Sequence, residues 1–250
     1  MSFNPFSLEG KRVLVTGASS GIGKQIAISC SQMGATLVLV GRDTARLNAT
    51  LQGLDGSNHV AITADLKNPD DIIKVANEAG QLDGLVHAAG YLKLAPFRMI
   101  NQKHLDGIFS INVFAPLLLT KELLAKRRLS LGASIVFIGA VASEVGPIAT
   151  AAYSASKSAL VGAMRSLALE VMKHDIRANI ISPGYVNTPM LEQLDNSGSQ
   201  RETMVAKAPL GLGEPEDIAY ATVFYLSQAS RWVTRTEFVI DGGLTIAMNT

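Results

Sequence analysis

The chain has 250 residues, of which 48% are hydrophobic, and its formal net charge is +1. That length suits one large α/β domain or two small ones, and that share of apolar residues can bury a sizeable core. A near-neutral chain without a long block of Lys or Arg does not suit a surface for nucleic acid or anionic membrane, so we expect neither partner.

Cysteine use and the absence of targeting patterns favour the cytoplasm. Cys30 is the only cysteine, which excludes an internal disulfide and fits a reducing compartment. Residues 1–11 lack the basic start and apolar run of a signal peptide, and no uninterrupted apolar stretch approaches the length of a membrane span. In the absence of repeats and linkers, we expect one cytoplasmic domain over residues 1–250.

The first part of the chain alternates apolar strands with helices. The strands are predicted at Arg12–Thr16, Leu37–Val40, His59–Asp65 and Leu82–Val86. The helices are predicted from the glycine-rich turn after the first strand to about Met33, from Leu47 onward, and over residues 70–79. This alternation predicts an α/β fold, a Rossmann-type doubly wound parallel sheet with helices on both faces and a ligand crevice at the strands' carboxyl ends.

The second part continues the alternation. A helix is predicted from Asn101 to about Arg127, with an irregularity near Pro116. Asn112 lies inside it, where Asn is disfavoured, so it needs a satisfied structural hydrogen bond or a functional role. The polar segment 190–213, with scattered Gly and Pro, predicts a substrate lid. The remaining elements are the strand Ala133–Ile138, a helix through Tyr153 to about His174, the strand Arg177–Ile181, the helix Glu214–Ser227 and the strand Glu237–Ile240.

A glycine-rich turn, residues 17–23, lies between the first strand and the first helix. Backbone N–H groups and a helix N-terminus in this order form a cradle for phosphate, although a tight turn without a ligand is the alternative. The spacing is Gly-x-x-x-Gly-x-Gly, not the usual dinucleotide fingerprint. The turn also fits the nucleophile elbow of hydrolases around Ser19, but no earlier strand and no HGG-like loop precede it, which disfavours a hydrolase.

Tyr153 and Lys157 are spaced four residues apart, which places them on one face of a helix. A free phenol has a pKa of about 10, and a nearby ammonium stabilises the phenolate and lowers that pKa. The pair therefore has the form of a general acid/base for a carbonyl or an alcohol oxygen. Any exposed helix can carry such a pair, so the spacing alone does not establish a site.

Taken together, these motifs resemble the short-chain dehydrogenase/reductase family across essentially the whole chain. Within it, the chain resembles the β-ketoacyl carrier-protein reductases. The matching positions are residues 16–23, Asp65, Ala89-Gly90, Asn112, Tyr153, Lys157, Pro183-Gly184 with Thr188, and Asp241-Gly242-Gly243.

The resemblance implies hydride transfer between a nicotinamide and a ketone or secondary alcohol. Tyr153 would handle the proton of the oxygen, Lys157 would lower the Tyr153 pKa and bind the nicotinamide ribose, and Asn112 would hold a water that relays protons. Asp65 matches the residue that contacts adenine. The cofactor-binding residues it implies are Gly17, Ser19, Ser20, Gly21, Ile22, Gly23, Arg42, Asp65, Leu66, Ala89, Gly90, Tyr153, Lys157, Pro183, Gly184, Val186 and Thr188.

Two positions depart from the family pattern. His87-Ala88 replaces an Asn-Asn pair whose amides brace the sheet, and His87 is either structural or reaches the nicotinamide pocket. Ala140 stands thirteen residues before Tyr153, where the family carries its catalytic serine. Ser143 is a possible substitute donor or a solvated loop serine. We expect normal cofactor binding and slow ketone reduction. The alternative is a cofactor-binding protein with little or no turnover, in which Ala140 is either natural or engineered.

The end of the second strand indicates NADP(H) in preference to NAD(H). By resemblance, relatives that bind NAD place a carboxylate where this chain has Gly41, and Arg42 follows it. An arginine there can pair with the 2′-phosphate of NADP. Asp43 leaves use of both cofactors open, or caps the next helix. The histidines have no metal-ligand spacing, so no metal is predicted.

The predicted substrate border is largely apolar, comprising residues 141–148, Tyr185 and residues 190–204. It suits an acyl chain or an alicyclic ketone, with a 3-oxoacyl thioester among the candidates. The helices 101–127 and 156–172 are richer in apolar residues than one buried stripe requires. We therefore expect them to form a symmetric interface in a homodimer, or in a homotetramer as in the family.

Overall fold

The computed structural model describes residues 3–192 and 206–247. One sheet holds seven strands in the order β3-β2-β1-β4-β5-β6-β7, and every pairing is parallel. The strands are β1 (Arg12–Thr16), β2 (Thr36–Gly41), β3 (Val60–Thr63), β4 (Leu82–His87), β5 (Leu129–Ile138), β6 (Arg177–Pro183) and β7 (Glu237–Ile240). The strand order reverses at β1 and β4, so the predicted doubly wound sheet is confirmed and the crevice lies at that reversal.

Ten α-helices connect or flank the strands in the described ranges. They are α1 (Gly21–Gln32), α2 (Thr44–Gln52), α3 (Pro69–Glu78), α4 (Gln102–Phe109), α5 (Ala115–Ala125), α6 (Ala142–Val145), α7 (Ala151–Val171), α8 (Pro189–Glu192), α9 (Pro215–Leu226) and α10 (Leu244–Ala247). Helix α2 begins three residues before the predicted Leu47, because the Asp43 side chain caps it by accepting from the Arg46 amide at 3.0 Å. The capping alternative for Asp43 is confirmed.

Each strand of the sheet sends alternate side chains into two hydrophobic layers. Leu14 of β1 lies in the layer under α3, α5 and α7, whereas Val13 and Val15 lie in the layer under α1 and α9. Both faces of the sheet are therefore covered, which is why its strands read as continuous apolar runs.

A π-helical turn, Ser110–Phe114, joins α4 to α5 and is the irregularity predicted near Pro116. The Ala115 amide donates to the Ser110 carbonyl five residues back. In a regular helix Pro116 would have to donate to the Asn112 carbonyl, but proline has no amide hydrogen and its ring clashes there. The wider turn removes that conflict and places Asn112 in the interior, 1% exposed.

The helical run Gln102–Ala125 is long and apolar enough to cross a membrane by length and composition alone. Half of its most apolar window is buried in the protein, and α5 packs on α3, as a core helix of a soluble protein does. Charged residues such as Asp106 and Lys121 interrupt the apolar sequence.

Only the two ends of the predicted lid are described, because residues 193–205 lie outside the described ranges. At the first end, α8 forms the short helix Pro189–Glu192. At the second end, the Leu210 amide donates to the Gly242 carbonyl at 3.0 Å, and the Gly213 amide donates to the Tyr185 carbonyl at 2.9 Å. These bonds attach residues 210–213 to the loops that follow β6 and β7.

Candidate active site

A cavity of about 1080 Å³ opens at the carboxyl ends of the strands, where the strand order reverses. It is bordered by the glycine-rich turn, the ends of β2, β4 and β5, the start of α7 and the loop after β6. All the predicted cofactor residues except Asp65 line it, namely Gly17, Ser19, Ser20, Gly21, Ile22, Gly23, Arg42, Leu66, Ala89, Gly90, Tyr153, Lys157, Pro183, Gly184, Val186 and Thr188.

The glycines of the turn allow β1, α1 and the end of β4 to approach closely. Gly17 has φ +68°, and a Cβ there would lie 2.8 Å from the Ala89 backbone. A Cβ on Gly23 would lie 2.4 Å from the Gly17 carbonyl oxygen. The Thr16 hydroxyl accepts from the amides of Ala88 and Ala89 at 3.1 Å each, which braces the position where the family has its Asn-Asn pair.

The N-terminus of α1 has the donors that a pyrophosphate requires. The cap residue Ser20 makes no side-chain cap bond, so the first amides of the helix remain available to an anion. Thr188 forms the opposite wall, since a Cβ on Gly21 would lie 3.4 Å from its methyl group. The residues present therefore fit the phosphates of a dinucleotide.

Basic side chains lie at the end of β2. Arg42 is exposed and lines the cavity, and so does Arg46, which pairs with Asp43 at 2.8 Å. A Cβ on Gly41 would lie 3.2 Å from the end of the Leu47 side chain and 3.4 Å from Ser19, so a side chain there requires a small shift of Leu47. The end of β2 therefore presents two guanidinium groups to the cavity.

Asp65 does not line the cavity. Its carboxylate accepts from the Lys67 amide at 3.1 Å, and its own amide donates to Asp71 at 2.7 Å. Leu66 and Lys67 line the cavity instead, and the Lys67 ammonium lies 5.5 Å from the ring centroid of Tyr91. A contact between Asp65 and adenine thus remains a prediction.

Tyr153 and Lys157 lie on the first two turns of α7, and both border the cavity. The Lys157 ammonium lies 5.7 Å from the Tyr153 ring centroid and donates to the Ile138 carbonyl at 2.8 Å. Burial raises the pKa of Tyr153 to about 12 and lowers the pKa of Lys157 to about 8. This direction is opposite to the lowered Tyr153 pKa that the sequence predicts, and its cause is burial of the phenol.

The Asn112 side chain links the loop after β4 to α7. Its Oδ1 accepts from the Tyr91 amide at 2.8 Å, and its Nδ2 donates to the Tyr91 carbonyl at 3.0 Å and to the Ser156 hydroxyl at 2.9 Å. The Ser156 hydroxyl in turn donates to the Tyr153 carbonyl. Asn112 does not line the cavity, so its side chain positions the site, and a role in holding water remains a prediction.

His87 is structural. Its Nε2 lies 2.8 Å from the Thr120 hydroxyl, and its ring stacks on Phe137 with centroids 4.9 Å apart. Burial lowers its pKa to about 3, so the imidazole is neutral at physiological pH. His87 does not line the cavity, which confirms the structural alternative and excludes the nicotinamide-pocket one.

Ala140 faces the cavity at the end of β5, on the border shared with Tyr153. The Gly139 amide donates to the Ile181 carbonyl at 2.7 Å, and the Val141 amide donates to the Pro183 carbonyl at 3.0 Å. These bonds fix residue 140 between β5 and β6, where the resemblance implies a serine hydroxyl. Ser143 is not brought to the cavity, because its hydroxyl donates to the Ala140 carbonyl at 2.7 Å.

Sequence reasoning missed several residues that line the cavity. No motif marks them, because tertiary contacts alone bring them to the site. Within residues 3–192 and 206–247, no three His, Cys, Asp or Glu side chains are grouped as metal ligands. The missed residues are Arg46, Lys67, Tyr91, Leu92, Leu94, Thr150 and Leu244.

Comparison with known proteins places this geometry in one family. The family model described as enoyl-(acyl carrier protein) reductase matches residues 17–245. An uncharacterized oxidoreductase from Methylorubrum extorquens is 35% identical over 246 residues, which cover 95% of this chain and 98% of that protein. The 3-oxoacyl-[acyl-carrier-protein] reductase FabG of Thermotoga maritima is 32% identical over 246 residues, which cover 96% of this chain and 99% of that protein.

A solved structure with the same fold agrees with these sequence matches. A crystal structure from Agrobacterium tumefaciens with bound NADP matches with a TM-score of 0.87 and 33% identity, over 98% of this chain and 100% of that chain. The family model, the relatives and the solved structure agree over nearly the whole chain, and the protein belongs to the short-chain dehydrogenase/reductase family.

Proposed function

We propose that this oxidoreductase is an NADP(H)-dependent carbonyl reductase that interconverts ketones and secondary alcohols, with turnover lowered by Ala140. One observation carries the proposal: a single cavity is lined both by the phosphate cradle at Gly21 and by the Tyr153–Lys157 pair. A dinucleotide bound along it would extend from the basic end of β2 toward Tyr153, and a substrate carbonyl would lie beside that phenol.

The bound nicotinamide supplies the hydride, and the chain supplies position and proton transfer. With a pKa raised to about 12, the Tyr153 phenol is protonated at neutral pH and can donate to a carbonyl oxygen. Lys157 would hold the nicotinamide ribose from the same helix. Ala140 offers no hydroxyl to an oxygen that gains negative charge, and one missing donor of this kind costs about 10²–10³ in kcat.

Two observations support NADP(H) over NAD(H). Arg42 and Arg46 provide guanidinium groups where the 2′-phosphate would lie, and Gly41 carries no carboxylate to hold the ribose hydroxyls of NAD. The Agrobacterium tumefaciens relative also has NADP bound.

Apolar walls support a ketone with a hydrocarbon body. Beyond Tyr153 the cavity is lined by Leu94, Val145, Ile148 and Met190, among which Ile148 is almost fully exposed. An acyl chain or an alicyclic ring suits such walls better than a charged metabolite does. The FabG relative acts on a 3-oxoacyl group, so a 3-oxoacyl thioester is the first substrate to test.

We further propose that the protein acts in the cytoplasm as a homodimer or homotetramer, without a nucleic-acid or membrane partner. The near-neutral charge supports this, and so do the exposed apolar side chains of α5 and α7. Leu118 and Leu169 are among these exposed side chains.

The test is a panel of ketones that includes acetoacetyl thioesters and cyclohexanone, assayed by the loss of NADPH absorbance. We expect slow turnover that Tyr153→Phe abolishes while NADPH binding persists. Binding of NADPH without turnover on any ketone would favour the alternative, a cofactor-binding protein with little or no activity. Failure to bind either nicotinamide cofactor would overturn both.

A further inference from the structure

A substrate oxygen beside Tyr153 needs a second hydrogen-bond donor that position 140 does not provide. The hydroxyl groups that line the cavity are the candidates. In the described part of the chain, the residues that bring them there besides Tyr153 are Ser19, Ser20, Tyr91, Thr150, Tyr185 and Thr188.

Three of these hydroxyl groups lie too far along the cavity. Ser19 and Ser20 belong to the glycine-rich turn after β1, and Thr188 lies against that turn, 3.4 Å from a Cβ built on Gly21. All three therefore face the phosphates of a dinucleotide and not the carbonyl at Tyr153.

Two more of the hydroxyl-bearing residues, Tyr91 and Thr150, are held by other contacts. The Tyr91 backbone is fixed by Asn112, and its ring lies under the Lys67 ammonium, on the β3 side of the crevice. The Thr150 hydroxyl donates to the Pro147 carbonyl at 2.6 Å and lies 2.9 Å from the Ser154 hydroxyl.

Tyr185 meets the requirement. Its ring packs in the small cluster formed by Val141, Ala208 and Leu244, and Val141 directly follows Ala140. The loop that carries Tyr185 is tied to the Ala140 segment by the Val141–Pro183 backbone bond. The Tyr185 carbonyl accepts a hydrogen bond from the Gly213 amide, which anchors the backbone of Tyr185. Among the described residues, the Tyr185 hydroxyl has no hydrogen-bond partner.

We propose that the Tyr185 hydroxyl donates the second hydrogen bond to the substrate oxygen, in the role that the serine has elsewhere in the family. This inference rests on the proposed function. A tyrosine side chain is several ångströms longer than that of serine, so a hydroxyl carried by the loop after β6 is long enough to reach an oxygen in the cavity that Tyr185 and Ala140 both line. Burial raises the pKa of Tyr185, so the hydroxyl keeps its proton and acts as a donor at neutral pH.

The test is a double-mutant cycle of Tyr185→Phe and Ala140→Ser, measured on the best ketone of the panel. We expect Tyr185→Phe to lower kcat at least tenfold in the natural chain, with KM changed little, because the bond strengthens as charge develops on the oxygen. In the Ala140→Ser background, where a serine hydroxyl is present, the loss should be under threefold.

Tyr220→Phe is the matched control, since it removes the same hydroxyl from an exposed tyrosine that does not line the cavity. The affinity for NADPH, measured by titration, should be the same in all variants. An equal loss of kcat in both backgrounds would mean that Tyr185 acts through packing, and no loss in either would mean that it does not reach the oxygen. Both results overturn the proposal. The proposed function is judged separately, by whether the natural chain turns over and Tyr153→Phe stops it.

Discussion

The Ser143 hydroxyl donates to the carbonyl oxygen of Ala140 at 2.7 Å, within the first turn of α6. The Ser143 carbonyl also accepts from the Ser158 hydroxyl at 3.2 Å, which ties this turn to α7. Ser143 is therefore part of the framework that holds residue 140, and its hydroxyl is already bonded within that framework.

Ala140→Ser should raise kcat for ketone reduction at least tenfold and leave the affinity for NADPH nearly unchanged. The new hydroxyl would lie on the cavity border that Ala140 shares with Tyr153, and a donor to a developing oxyanion is worth about 10²–10³ in rate. Steady-state kinetics on a confirmed ketone check this. An unaltered kcat would contradict this prediction; if Tyr185→Phe also left kcat unaltered, the substrate oxygen would not lie beside residue 140.

Arg42→Ala should weaken NADPH binding roughly tenfold or more and leave NADH binding unchanged. A charge-assisted bond to the 2′-phosphate contributes about 1.5–3 kcal/mol, and NADH has no such phosphate. Fluorescence titration of both cofactors measures the effect. Arg98→Ala is the matched control, because Arg98 is exposed and does not line the cavity. If the natural chain binds NADH more tightly than NADPH, the preference is refuted.

His87 should make the protein lose stability in mild acid. Its pKa is lowered from 6.5 to about 3 by burial, so the unfolded chain binds a proton at a higher pH than the folded chain does. The stability that His87 contributes is fully present above pH 6.5 and is lost as the pH falls toward 3. From pH 7 to pH 5 the free energy of unfolding should fall by on the order of 2 kcal/mol from this group.

The double variant His87→Phe with Thr120→Val is the matched control for this loss. It keeps a ring against Phe137 and removes both partners of the buried hydrogen bond, so no polar group is left unpaired. Urea unfolding at pH 7 and pH 5 should show a smaller decrease for the variant. Equal decreases would assign the acid sensitivity to other groups.

Leu169→Glu should dissociate the oligomer. Large apolar side chains are exposed at Leu169 on α7, at Met172 directly after it, at Phe114 in the π-helical turn and at Leu118 on α5. A carboxylate in the centre of an apolar interface is costly to bury. Light scattering at micromolar concentration should give a dimer or tetramer for the natural chain and a monomer for the variant. The control is Leu131→Glu, at an exposed leucine near the start of β5, which should leave the mass of the oligomer unchanged. A natural chain that is monomeric would contradict the predicted interface.

The sequence was most informative where function depends on neighbours in the chain. The glycine-rich turn and the spacing of Tyr153 and Lys157 predicted the cofactor cradle and the acid/base pair, because one turn and one helix face determine them. The role of His87 depends on Thr120, 33 residues away, and the pKa of Tyr153 depends on burial, so neither follows from spacing. The resemblance to the family identified residue 140 as the position of the serine. The hydrogen-bond partner of the Ser143 hydroxyl could be found only from the geometry of α6.

The π-helical turn at Ser110–Phe114 makes the site sensitive to the number of residues in its helix. Each residue of a helix turns the chain by roughly 100°, so one deletion in this turn would rotate Asn112 away from Tyr91 and Ser156. The helix itself would remain apolar and could still pack on the core. A deletion here would therefore disturb the active site and would also restore the conflict of Pro116 with a regular helix.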